Sequence, residues 1–325
     1  TKDTTGLLFP KGGGFSLAAT DLGSSIVIAG SQDSTLYILN AFSKSSNALI
    51  DSVTRQALPL GDRITTPAMF ADLSIIPALI VGSSRGTVWS YSYTGVLLNK
   101  IVVSSSPVSS LTQLPSPSLS RPAALFFACG GRLYSEQNSV SLGDSTLSWS
   151  AVSVPSQLGD LVVVAQRGGR RVLAFNRALT EKMFETTVVS GSILDILSTD
   201  VDGNGEKDIV FVTGERIYGL NRLGVSLAGY PISAPPARAF GGNLIVGDVN
   251  GDKDPEILVA LTTGDVMAYE RSGRAVDGFP VQCSPVGQSS LAAFVSSAGN
   301  VGIVGMAASG VLNAFEINKP YGSQY

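Results

Sequence analysis

Apolar and polar residues follow one another in short runs along this chain, and no stretch carries the 3.6-residue spacing of an amphipathic helix. The runs come in pairs. An apolar run leads into a small polar or glycine turn, and a second run follows with an aromatic or large apolar residue in it. In order they read IVIAGSQDSTLYILN, LIVGSSRGTVWSYS, LFFACGGRLYSE, VVVAQRGGRRVLAFN, IVFVTGERIYGLN, ILVALTTGDVMAYE and GIVGMAASGVLNAFE. β-Branched and aromatic residues concentrate in these runs, which is the composition of strands. The large residues of the second runs are Tyr37, Trp89, Tyr134, Leu173, Tyr218, Met267 and Leu312, about 46 residues apart on average. Seven such units account for the 325 residues.

Each unit has room for four short strands. Residues 192–232 show them best: SILDILSTD, an acidic loop, DIVFVTG, RIYGLN and VSLAGYPI. Four-stranded units of about 40–50 residues, repeated four to eight times, predict a β-propeller; the rungs of an open solenoid are usually shorter, roughly 20–30 residues. The expected fold is an all-β, seven-bladed propeller forming one domain over 1–325. Its blades fall at about 14–60, 61–107, 108–147, 148–190, 191–237, 238–285 and 286–325 plus 1–13. Units five and six end in AGYPI and DGFPV, whereas unit seven stops at EINKPYGSQY and the chain begins with GLLFPK at residues 6–11. Residues 5–10 are therefore expected to supply the outer strand of the last blade, closing the ring and removing two open edges. The start TKDTTG, without Met, is read as a processed form or an excised fragment.

Composition narrows the chemistry. Charged residues make up 14% and apolar ones 44%, with 36 glycines, as in a well-buried chain rich in tight turns. A formal charge of −3 and no basic cluster beyond RGGRR argue against a nucleic-acid partner. No apolar run approaches the roughly 18–20 residues that span a bilayer. Histidine is absent altogether, which removes Ser-His-Asp and Cys-His catalysis and every His-ligated metal site. Cys129 and Cys283 are far apart in sequence and have no metal-type spacing, so buried thiols are expected.

The acidic loops offer candidate chemistry. In DVDGNGEKD, residues 200–208, Asp200, Asp202, Asn204 and Asp208 occupy positions 1, 3, 5 and 9 of an EF-hand-like loop. An EF-hand joins two helices and has a bidentate Glu at position 12. Position 12 here is Phe211, inside β sequence. One repeat later DVNGDKDPE, residues 248–256, places Asp248, Asn250, Asp252 and Glu256 in the same positions, again before a strand. Oxygen ligands at alternate positions of a glycine-bent loop wrap a hard cation, and the position-7 carbonyls of Glu206 and Asp254 can add a neutral ligand. Three carboxylates per loop suit Ca²⁺ better than Mg²⁺, which keeps several waters. The competing explanation is a polar turn without metal.

These two loops resemble the FG-GAP or VCBS-type repeats of integrin α-subunit propellers and of many bacterial secreted and surface proteins. GDVNGDKDPEILVAL is the best match. The resemblance implies calcium bound between the first and second strands of a blade, and a setting outside the cell: extracellular, periplasmic or on the cell surface. The full motif covers two of the seven units; ATDLGSSIV, FADLSIIPALIV, LPSPSLSRPAALFF, VPSQLGDLVVV and VSSAGNVGIV lack the ligands. TGDVMAYERSG at 263–273 resembles quinoprotein-like propeller repeats at the level of fold alone.

Two functional classes remain open. The favoured one is a non-catalytic calcium-binding propeller that binds a protein or glycan, as a monomer or as a module of a larger protein. The alternative is a propeller enzyme, a glycosidase, lyase or quinoprotein-like dehydrogenase, acting at the central channel. A glycosidase needs facing carboxylates, and Asp21, Asp72, Asp160 and Asp195 show no pairing in sequence; Asp21, Asp72 and Asp195 lie in or near the innermost strands, where hydrogen bonding to neighbouring backbone is their expected role. No catalytic residue is assigned. For binding, the turns between second and third strands share one face and carry Asp33, Arg85, Arg167, Arg170, Glu215 and Asp265. RGGRR, residues 167–171, is the densest charge among them.

Overall fold

The structure is a computed structural model that describes residues 16–21, 25–42, 53–71, 77–116, 123–282, 290–295, 300–306 and 312–320. All of their regular structure is β, and the two runs of each of the seven apolar pairs lie side by side as antiparallel strands. Among the described residues the strands form six four-stranded sheets and one of three strands. In every sheet strands adjacent in sequence lie side by side, the up-and-down order that short turns between consecutive strands produce.

The chain divides into two compact units, Thr1–Leu111 and Thr112–Tyr325. The first holds the sheets of residues 16–59 and 69–102. Leu36 and Ile38 of the strand Thr35–Phe42 pack with Leu79 and Val81 of Ala78–Gly82, all fully buried. The second unit holds the sheets of residues 149–187, 193–233 and 240–282 with the strands around them.

In this second unit the unbroken apolar runs of the second strands have a clear cause. Successive side chains of a strand point to opposite faces. Val162 and Val164 of Leu161–Gln166 pack with Phe126, Leu133 and Trp149 on one side. Val163 and Ala165 pack with Ile196, Ile209 and Phe211 on the other. Asp208–Thr213 repeats the device: Ile209 and Phe211 join that cluster, while Val210 and Val212 face Phe240, Leu244 and Val259. A strand covered on both faces shows no alternation in its sequence. Burying one such Val, Leu or Ile side chain stabilises by about 1.5–3 kcal/mol. Fourth strands are different: Leu97–Val102 and Lys182–Thr187 are mostly exposed.

The large residues of the second runs anchor the hairpins. Tyr134 stacks on Phe127 (5.2 Å between ring centroids) and Tyr218 on Phe211 (5.0 Å), in each case across directly paired positions. Tyr37, Leu173 and Met267 are buried.

The outer strands depart from expectation. VSLAGYPI is not a strand along its length. The fourth strand there is only Ile232–Ser233, and in the next sheet Val281–Gln282. Residues 225–231 instead wind into tight turns, with Gly224 and Gly229 at positive φ and a cis Tyr230–Pro231 bond. The Leu227 N–H donates to the Gly219 carbonyl (2.9 Å), which holds the turn on the third strand. Gly-aromatic-Pro thus marks a turn, not a strand. The predicted closing strand 5–10 lies outside the described residues, as do Asp72 and Cys283.

Candidate metal centre

Asp200 follows the strand Ile193–Thr199 and Asp208 begins the strand Asp208–Thr213, so the first loop is strung between two paired strands. Asp200 accepts backbone N–H groups from Gly203 (2.8 Å), Asn204 (3.1 Å) and Gly205 (2.9 Å). Asp202 accepts from Asn204 N–H (3.1 Å) and Asn204 Oδ1 from Glu206 N–H (2.7 Å). Each short polar side chain therefore bonds backbone two or more residues ahead, which coils the loop. Gly203 and Gly205 supply the left-handed conformations (φ 74° and 87°) that this coil requires. At the base Asp208, 1% exposed, accepts the Val201 N–H (3.0 Å).

The second loop repeats the wiring. Asp248 accepts from Gly251 (2.6 Å) and Lys253 (3.0 Å), Asn250 from Asp252 (2.9 Å), and Asp252 from Asp254 (2.8 Å). Glu256 closes the base on Val249 N–H at 2.7 Å. Gly251 and Lys253 hold the left-handed positions (φ 85° and 76°). Position 9 thus acts in both loops as a buried staple between loop and strand. Sequence reasoning gave it only the role of ligand.

Carboxylate oxygens of Asp200, Asp202 and Asp208 lie within 4.8 Å of one another, the one such triad among the described residues. Three carboxylates gathered this closely form an all-oxygen donor set that fits a hard cation such as calcium. Glu206 Oε2 is buried beside this loop without a hydrogen-bond partner among the described residues. In the second loop Asp254 instead faces Arg271 (3.6 Å). Arg271 also donates to the Asp202 carbonyl (3.5 Å), so one guanidinium touches both loops. Nothing in the sequence marks Arg271 for that place.

The electrostatics are those of gathered acids. Burial, then the charges of Asp202 and Asp200, push the Asp208 carboxyl up to about 6. Burial, then Asp252 and Asp248, push Glu256 up to about 7. Burial, and after it Asp208, also raises the Tyr230 phenol, whose buried hydroxyl has no partner among the described residues. A cation would offset this repulsion.

The other singled-out acids are engaged. Asp195 accepts N–H groups from Ile196 and, in the neighbouring sheet, Leu244 (both 2.9 Å), as expected; burial raises its carboxyl. Asp160 is buried in an ion pair with Arg177 (2.9 Å). Asp21 ends the strand Ser16–Asp21. On the hairpin turns Asp33, Arg85, Arg167, Arg170 and Glu215 are exposed, while Asp265 is half-buried and paired with Arg238 (2.9 Å). Cys129 is buried.

No protein-family model and no curated protein sequence matches the chain. Solved structures match it in fold. A chain of the crystal structure of BBS1N in complex with ARL6DN is 13% identical with a TM-score of 0.62, over 94% of this chain and 92% of that one. A chain of the mitotic checkpoint complex is 12% identical (TM-score 0.61; 90% and 84% covered). The C-terminal WD40 domain of Sif2 is 12% identical (TM-score 0.57; 90% and 78% covered). With its four-stranded antiparallel sheets, the chain has an all-β fold of the β-propeller type.

Proposed function

We propose that this chain is a non-catalytic, seven-bladed interaction propeller, closed by its N-terminal strand and clipped by calcium in two neighbouring blades. It would act outside the cell, in the periplasm or on a cell surface, as the FG-GAP/VCBS resemblance implies. The observation that carries the reading is the loop wiring, present twice in register, with the Asp200, Asp202 and Asp208 oxygens gathered within 4.8 Å of one another in the first loop. Asp200, Asp202, Asn204, Asp208 and the Glu206 carbonyl would hold one ion. Asp248, Asn250, Asp252, Glu256 and the Asp254 carbonyl would hold the other. The metal would neutralise the acids and fix the loops, and no chemistry is assigned to it.

Two observations support binding over catalysis. Asp195 and Asp160 are engaged by backbone and by Arg177, which leaves no facing pair of carboxylates among these acids. Two of the structural neighbours come from protein complexes, which favours a protein partner over a glycan.

Thermal unfolding tests the reading. For a dissociation constant of order 10 μM at about 1 mM calcium, each site stabilises by roughly 2.7 kcal/mol. Chelator should lower the melting temperature, and Asp200→Ala and Asp248→Ala should each remove part of the difference. Identical melting with calcium and with chelator would rule out the clip.

A further inference from the structure

RGGRR sits where two sheets meet, and its backbone is pinned. Arg167 N–H donates to the Ser148 carbonyl (2.9 Å), Gly168 N–H to Ile193 (2.9 Å), and Ile193 N–H back to Gly169 (2.7 Å). Val188 N–H donates to the Arg170 carbonyl (2.9 Å). The tip is therefore held in one geometry, joined to the first strand of the next sheet.

Several charges near RGGRR and at neighbouring hairpins are already engaged. Asp265 pairs with Arg238, Glu215 with the Ser190 hydroxyl, Arg132 with Ser139, and Arg171 with Glu185 and the Leu142 carbonyl. Arg167 and Arg170 are exposed, and neither has an ion-pair partner among the described residues. The acids around them are committed elsewhere. Asp144 accepts from Thr146 and Gln166, and Asp195, which feels the charge of Arg167, bonds to the backbone of Ile196 and Leu244.

Apolar surface borders the backbone of this turn. Leu147, 36% exposed, borders Gly168, and Val189, 81% exposed, follows the residue bonded to Arg170. A free inorganic anion would leave both apolar groups uncovered. A nucleic acid or anionic lipid surface would call for a longer basic track than two arginines on a chain of net charge −3.

We infer that Leu147, Arg167, Arg170 and Val189 form a docking surface for an acidic protein segment in which carboxylates alternate with apolar side chains. The arginine forks take the carboxylates, while Leu147 and Val189 cover the apolar positions. This deepens the interaction-module reading and rests on it, but it is independent of the metal.

The test is fluorescence polarisation with a labelled peptide of alternating Glu and Leu, its Gln-for-Glu counterpart, and inorganic phosphate as competitor. Titrations run in calcium and in chelator, so failure of the metal reading appears separately from failure of this one. The acidic peptide should bind the wild type at least about tenfold more tightly than the Gln peptide, and the pair Arg167→Glu with Arg170→Glu should lose about tenfold. Val189→Ser, which keeps both charges, should weaken binding by roughly threefold or more. Val189→Ser should keep the wild-type melting temperature, and the charge-reversed variant, which places an acid near Asp195, should lose some stability but stay folded at the assay temperature. Equal binding by the charge-reversed variant, equal affinity for the Gln peptide, displacement by millimolar phosphate, or no binding by the wild type would each overturn the proposal.

Discussion

Gly205 and Lys253 hold the same place in two loops that bend alike, yet only one of them suits that place. Both have positive φ, 87° and 76°. A side chain there costs about 1–2 kcal/mol, and a Cβ on Gly205 would meet nothing within 4 Å. Gly205→Ala should therefore destabilise by about that amount through backbone strain alone. Lys253→Gly should stabilise by up to about 1 kcal/mol, because relieved strain exceeds the roughly 0.5–1 kcal/mol entropy cost of glycine. Urea midpoints of the two variants check both signs. The left-handed positions were legible as glycines at 203, 205 and 251. The one occupied by Lys253 was not, since lysine gives no turn signal.

The stapling acids give a pH prediction at the same scale. Unfolded Asp and Glu titrate at about 4, whereas Asp208 and Glu256 are raised to about 6 and about 7. Across that interval the folded state binds more protons than the unfolded one, so stability falls as pH rises from about 4 to about 7. In chelator the urea midpoint should be higher at pH 5 than at pH 7.5. Calcium should reduce the difference by favouring the ionised acids. Asp144, Glu185 and Glu270, all lowered, act in the opposite sense. The Asp208→Asn, Glu256→Gln variant isolates the effect, and a slope unchanged in it would contradict this assignment.

At the scale of elements, the hairpins were legible because everything that makes them is local: two apolar runs, a short turn and an anchor residue. The fourth strands of two sheets were not. Ile232–Ser233 and Val281–Gln282 are two residues long because the preceding turns fold onto the third strand, and an apolar run such as VSLAGYPI cannot show whether it extends or coils. The role of Asp195 as an acceptor for neighbouring backbone was legible but its partner was not, for Asp195 and Leu244 are far apart in the chain and meet only through packing. Asp195→Ala should leave the Leu244 N–H without its acceptor and cost about 1–3 kcal/mol. Asp195→Asn, which keeps an acceptor oxygen, should recover part of that. Comparable loss in both variants would show that charge, not the hydrogen bond, holds the two sheets together.

For the whole molecule, the repeat period was enough to indicate a propeller, and the likeness to solved propeller structures agrees with it at 12–13% identity. The N-terminal closure is a separate proposal: deletion of residues 1–13 should lower the melting temperature or cause aggregation through an uncovered strand edge. The proposed pair of calcium clips rests on side chains that coil two loops alike and, in the first, on three carboxylates gathered within 4.8 Å of one another. Isothermal titration of calcium into chelator-treated full-length protein tests it most directly. Two ions should bind per chain, falling to one in Asp200→Ala and in Asp248→Ala and to none when the two substitutions are combined. Absence of calcium uptake by the wild type, or uptake unchanged in the double variant, would contradict it.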